Sequence, residues 1–175
     1  MIDVIANMLS MCIPFSVALL LASIGEMFNQ RAGIFNLGCE GIMAMGAFLG
    51  MLVPFLAGHG GQTSQVYNLL GFLAAGAAGI VLGIIFGVVT INFRAPQGIA
   101  GIGLQMFGVG TAGTLFRHFV GGTQSIPGIP DVDIPLLSKI PFIGDVFFSH
   151  NLAAYLAYLF IPVSMCISYS RLHGD

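Results

Sequence analysis

GEMFNQRAGIFNLGCEGIMAMGAFLG, residues Gly25 to Gly50, is the stretch on which the reading of this chain turns. It sets Glu26, Arg31, Asn36 and Glu40 inside or against otherwise apolar sequence, with glycines at 25, 33, 38, 41, 46 and 50. A charge in hydrocarbon costs several kcal/mol unless it is paired or faces water, so ionisable residues in such a setting point to function. Glycines interrupt helices and let backbones approach, and interrupted segments line cavities in transport proteins. Two readings of the stretch stand side by side. Either it is a broken, pathway-facing segment, or Arg31 marks a cytoplasmic connection and Glu40 is buried against a neighbouring helix.

Outside this stretch the composition sets the class. Of 175 residues, 57% are hydrophobic and 7% charged, against roughly 25% charged in a soluble domain. Such a chain cannot cover a water-facing surface, and it reads as an all-α integral membrane protein. The net charge of −2 is too small to argue for nucleic acid. Cys12, Cys39 and Cys166 lie far apart in apolar segments and read as small packing residues, not as a disulfide or metal set. His59, His118, His150 and His173 show no ligand spacing. The N-terminus carries no basic region or cleavage site of a signal peptide, so the first apolar segment is expected to be retained.

Five apolar segments approach the ~20 residues that a spanning helix needs. They are predicted at about Met8–Ile24, Asn36–Ala57, Tyr67–Ile91, Gly98–Phe116 and Leu152–Ser168. One helix is expected to be broken or re-entrant near residues 25–41. GHGGQTSQ (58–65) and NFRAPQ (92–97) are polar turns, and residues 117–150 form an external loop. Pro127, Pro130, Pro135 and Pro141 forbid a long helix there and favour an extended cap over the bundle. The whole chain, 1–175, reads as a single transmembrane domain. Alternating the spans puts Arg31, Arg94 and Arg171 on one side, which predicts a cytoplasmic C-terminus and an external N-terminus.

Ala75, Gly79, Gly83 and Gly87 place a small residue at every fourth position of the third segment, an expected helix-packing stripe. Tyr67, Tyr155, Tyr158 and Tyr169 lie near segment ends, as interfacial anchors should. A faint repeat aligns Arg31-Ala32, Gly38 and Met43 with Arg94-Ala95, Gly101 and Met106 at one constant offset. The chain holds no GxxxxGK[ST] loop, no GxSxG elbow and no HExxH pair, so an enzyme reading has no residues to stand on.

RAGIFNLGCEGIMAMGAFLG (Arg31–Gly50) closely resembles the ERAG-x-x-NLG-x-EG-x-M-x-x-GA stretch of bacterial ABC importer permeases. The branch is the simple sugar and nucleoside one of the branched-chain amino acid and ribose permease superfamily. RAPQGIAGIGLQMFGVG (Arg94–Gly110) and the IPGIP…IPFIGDVFFSHN loop before a Tyr-rich span are similar as well. The resemblance implies a permease subunit in the bacterial cytoplasmic membrane, serving an ATP-driven importer of a nucleoside or simple sugar. It also implies a second permease subunit, two ATP-binding subunits that carry the ATP, and an extracytoplasmic solute-binding protein. No cofactor, metal or catalytic residue is expected on this chain.

By the same resemblance Glu26, Asn29, Arg31, Asn36, Glu40 and Gln105 are candidates for lining or supporting the pathway. Each has a structural alternative. Glu26 and Arg31 would form an ion pair at the cytoplasmic boundary; Glu40 would cap the second helix or hold the break in shape; Asn36 would be the N-cap of that helix. Family members continue into a cytoplasmic stretch that contacts the ATPase, whereas this sequence ends at SYSRLHGD. The expected form is therefore an N-terminal half: a truncated frame, a fragment or part of a split permease. An ion-coupled carrier or channel and an inactive remnant are the competing functional readings.

Overall fold

The structure is a computed structural model and describes residues 2–58, 65–121, 131–133 and 149–172. Its helices are α1 (Ile2–Arg31), α2 (Cys39–Ala57), α3 (Gln65–Gly87), α4 (Gln97–Phe119) and α5 (Leu152–Leu172). A π-helical turn, Val88–Asn92, extends α3. Met8–Arg31, Cys39–Ala57, Gln65–Asn92 and Gln97–Phe119 are long and apolar enough to cross a bilayer, and Ala154–Ser164 is a shorter apolar helical stretch. The chain is a polytopic helical membrane protein, as its composition requires.

Several boundaries differ from the sequence reading. α1 does not stop at Ile24 but runs on through Gly25 and Glu26 to Arg31. The interruption is confined to residues 32–38, and α2 begins at Cys39, three residues after the expected Asn36 start. α4 continues past Phe116 and takes Arg117 and His118 into its last turn, where cations complement the helix dipole. Farther along the expected 117–150 loop, β1 (Asp131–Asp133) pairs antiparallel with β2 (Ser149–Asn151), Val132 opposite His150. The loop's four prolines lie outside the described residues.

The chain groups into two units, Met1–Met27 with Ile129–Asp175, and Phe28–Gly128. In the first, Val17 packs against Ala154 and Ala157, which are 1% exposed, with Ile13 beside them. Tyr155 and Tyr158 meet edge to face on α5, centroids 6.4 Å apart.

The second unit is built on glycine crossings. α2 and α3 run antiparallel, and a Cβ on Gly71 would stand 2.9 Å from Pro54 Cδ. A Cβ on Gly50 would lie 3.5 Å from that of Ala75, and one on Gly79 3.8 Å from Ile42 Cγ2. α2 and α4 run parallel and are also in backbone contact. A Cβ on Gly41 would lie 2.6 Å from Gln105 Cα, and one on Gly108 2.6 Å from the carbonyl carbon of Gly41. Only glycine permits such backbone contact. Phe48, Leu52, Ala112 and Val120 then fill one core between the helices, and Leu82, Phe86 and Leu104 a second. Hydroxyls inside these apolar helices turn back on their own backbone: Thr114 donates to Gly110 O (2.8 Å) and Thr90 to Phe86 O (2.8 Å). Without water, that is how a threonine in a membrane helix is satisfied.

The packing stripe is only partly where the spacing put it. Ala75 and Gly79 face α2, and Gly71 makes the tightest contact of α3. Gly83 and Gly87 meet nothing within 4 Å. Gly79 already lies against Ile42, in the first turn of α2, so the stripe runs on past the start of that helix, and periodicity alone could not say where it stops being used.

Candidate functional site

The polar residues gather at the break between α1 and α2, and the reason is local. α1 ends in a reciprocal backbone cap. Gly33 adopts φ +77°, its N–H donates to Gln30 O (3.0 Å), and the N–H of Ile34 donates to Asn29 O (2.9 Å). A left-handed glycine just past a helix end closes a helix this way. Arg31 lies in the last turn, beside the negative end of the dipole.

The next residues then run along the first turns of α4. Gln97, the first residue of α4, accepts from Phe35 N–H (2.8 Å) and donates to Gly33 O (3.4 Å). Asn36 is buried, 8% exposed, and its Oδ1 accepts from Gly38 N–H at 2.8 Å. Asn36 is therefore not the N-cap of α2. That position is Gly38, and Asn36 closes the turn two residues earlier, as Asn side chains do. Gly38 itself nests on α4: a Cβ on Gly101 would stand 2.7 Å from Leu37 N and 3.1 Å from Gly38 N. The two glycines related by the faint repeat thus lie against each other.

In hydrocarbon every backbone polar group needs an internal partner, and the break is furnished with them. The amides of Gly33, Ile34, Phe35 and Gly38 are bonded to Gln30, Asn29, Gln97 and Asn36 respectively. Gln97 was not among the residues that sequence reasoning selected. Its signal was a glutamine directly after the helix-starting Pro96, and nothing in the sequence says that it reaches 62 residues back to Phe35.

Because the break lies along α4, α2 starts partway down its neighbour. Gly41, third in α2, faces Gln105, ninth in α4. That places the site about 12 Å along α4 at 1.5 Å per residue. There Gln105 Nε2 donates to Glu40 Oε2. Glu40 is exposed on this chain and Gln105 half-buried. The carboxylate sits in the first turn of α2, where the helix dipole favours it. Its second oxygen is left to accept from whatever lies beyond. No acidic residue occurs between Glu40 and Asp131, so Glu40 is the only carboxylate along α2, α3 and α4.

Of the remaining candidates, Asn29 contributes its carbonyl to the cap of α1. Glu26 lies on α1 before that cap, in the other unit. Among the described residues no three His, Cys, Asp or Glu side chains gather where a metal ion could be held.

Comparison with known proteins places this arrangement in context. The family described as branched-chain amino acid transport system / permease component matches residues 8–171. The chain is 32% identical over 170 residues to a guanosine ABC transporter permease of Bacillus subtilis, covering 89% of this chain and 52% of that protein. It is 33% identical over 157 residues to a nucleoside ABC transporter permease of Lactococcus lactis, covering 88% and 48%. It is 32% identical over 162 residues to a Haloferax volcanii permease named for glucose, covering 90% and 46%. The chain thus spans about half the length of the curated relatives it matches. No solved structure matches it.

Proposed function

The chain belongs to the branched-chain amino acid transport system / permease component family, and from that premise we propose that it forms the N-terminal half of the permease subunit of an ATP-driven importer. The cargo is a nucleoside or a simple sugar, the two classes named for the relatives of similar sequence. ATP is bound and hydrolysed by partner subunits, a second permease subunit faces this one, and an extracytoplasmic binding protein delivers the solute. The protein lies in the cytoplasmic membrane with its C-terminus inside, on the side of Arg31, Arg94 and Arg171.

One observation carries the reading: the exposed Glu40 carboxylate, held by Gln105 partway along α4 inside otherwise apolar helices. A carboxylate at membrane depth is tolerated where it meets protein or a water-lined cavity, not lipid. Glu40 therefore faces the translocation pathway, with Gln105 fixing its rotamer and the free oxygen accepting from hydroxyls of the solute. Asn36 and Gln97 support it by holding the break in shape. Arg31 closes α1 at the membrane boundary.

The test is uptake by the assembled importer carrying Glu40→Gln in this chain. Loss of a charged hydrogen bond, about 1.5–3 kcal/mol, is expected to lower uptake of labelled guanosine or glucose by about tenfold or more, with the amount of folded protein in the membrane unchanged. If folded protein and uptake fall together, Glu40 is structural and the pathway assignment fails. Recovery of an ATP-binding subunit with the affinity-purified chain tests the partner assignment separately.

A further inference from the structure

α3 and α4 leave a cleft of about 300 Å³ between them, on the side of α4 near its start. Leu82, Phe86 and Leu104 form its buried floor, and Ile85, Val89 and Phe107 its walls. Gly103 opens it further, since a Cβ there would meet nothing within 4 Å. The volume is about ten times the share of one water molecule, and a cleft lined this way offers water no hydrogen bonds; apolar voids of that kind take apolar ligands.

The end of the cleft is defined by the α3–α4 connection. The π-helical turn brings the N–H of Ala95 onto Val89 O at 3.2 Å, so Arg94 stands directly beyond a cleft-lining residue. Arg94 is exposed, and its φ of +53° is one that a residue with a Cβ seldom adopts. Phe93 beside it is 76% exposed. Arg94 lies in the loop just past the π-helical turn, and a long arginine side chain reaches into a headgroup layer about 5–8 Å thick. The guanidinium therefore reaches phosphate level when the cleft lies in the acyl region, and no carboxylate on α2, α3 or α4 beyond Glu40 competes for it.

We propose that this cleft and Arg94 together hold one anionic phospholipid, an acyl chain lying between α3 and α4 and the headgroup phosphate on Arg94. The cleft supplies apolar contact and the arginine supplies charge-assisted hydrogen bonds. The π-turn joins the cleft to the loop that carries Arg94, and Phe93 anchors that loop at the interface.

The chain contains no tryptophan, so Phe107→Trp places a single fluorophore on the cleft wall. This variant is reconstituted in bilayers, and its quenching by brominated phosphatidylglycerol is compared with that by brominated phosphatidylcholine of the same acyl chains. One arginine at the surface gives an expected preference of about fivefold for the anionic lipid. Adding Arg94→Gln, which keeps a Cβ at the same backbone angle, should bring the ratio to about one. Adding Gly103→Leu, which fills the cleft from a position where the new Cβ meets nothing within 4 Å, should also abolish the preference while leaving charge-independent quenching by surrounding lipid. A ratio near one in the starting protein, or a preference that survives Arg94→Gln or Gly103→Leu, overturns the proposal. Absence of quenching by either lipid overturns it in favour of a protein segment occupying the cleft.

Discussion

Replacing Gly41 by alanine tests the packing that creates the site. The added methyl would lie 2.6 Å from both Gln105 Cα and Leu104 O, where non-bonded atoms settle at about 3.5 Å. Both neighbours are backbone, so no side chain can swing aside, and α2 and α4 must part by about 0.9 Å over that contact. Overpacking of this kind costs about 1–3 kcal/mol. The same substitution gains about 0.5–1 kcal/mol of helix propensity, which would mask part of the loss. Gly83→Ala supplies the reference, because it carries the same propensity gain while its Cβ meets nothing within 4 Å. The difference between the two variants is expected at about 2 kcal/mol, or a Tm lower by about 4–8 °C for Gly41→Ala. Thermal unfolding in mild detergent, followed by circular dichroism, reads it. If the two variants melt together, α2 and α4 are not in backbone contact at Gly41, and the placement of Glu40 beside Gln105 falls with that contact.

Other expectations concern the break. Asn36→Ala leaves the buried Gly38 N–H without its 2.8 Å partner and should cost about 1–2 kcal/mol, read as a lowered Tm; an unchanged Tm would mean that the turn is held by its backbone alone. Gln97→Ala removes the links to Phe35 N–H and Gly33 O. Amide exchange at Phe35 should then rise about fivefold, from a bond of about 1 kcal/mol, with the helical signal of α4 intact. Unchanged exchange at Phe35 would remove Gln97 from the account of how the break is satisfied.

The membrane class, the number of apolar segments and the position of the break were legible along the chain, for reasons that need no partner. Span length is set by bilayer thickness, and a bilayer admits few charges, so runs such as Tyr67–Ile91 announce themselves. Gly33 with Arg31 before it is a helix stop that can be read locally. The boundary near Gly25 was misplaced because glycine only weakens a helix. Eight residues later, a left-handed glycine, Gly33 at φ +77°, ends it.

What the line of residues could not carry was which glycines touch. Spacing marks a stripe on a helix, but the crossing of two helix axes selects the part in contact, and so Gly71 and Gly41 are packed while Gly83 and Gly87 are open. The same holds for the polar residues. That Glu40 is a carboxylate in an apolar chain is a property of the sequence. That Gln105 holds it, and that Gln97 secures a loop 62 residues away, depends on α2 starting partway along α4. That stagger is a three-dimensional register, set by backbone contacts between segments far apart in the chain, and no periodicity within either segment encodes it.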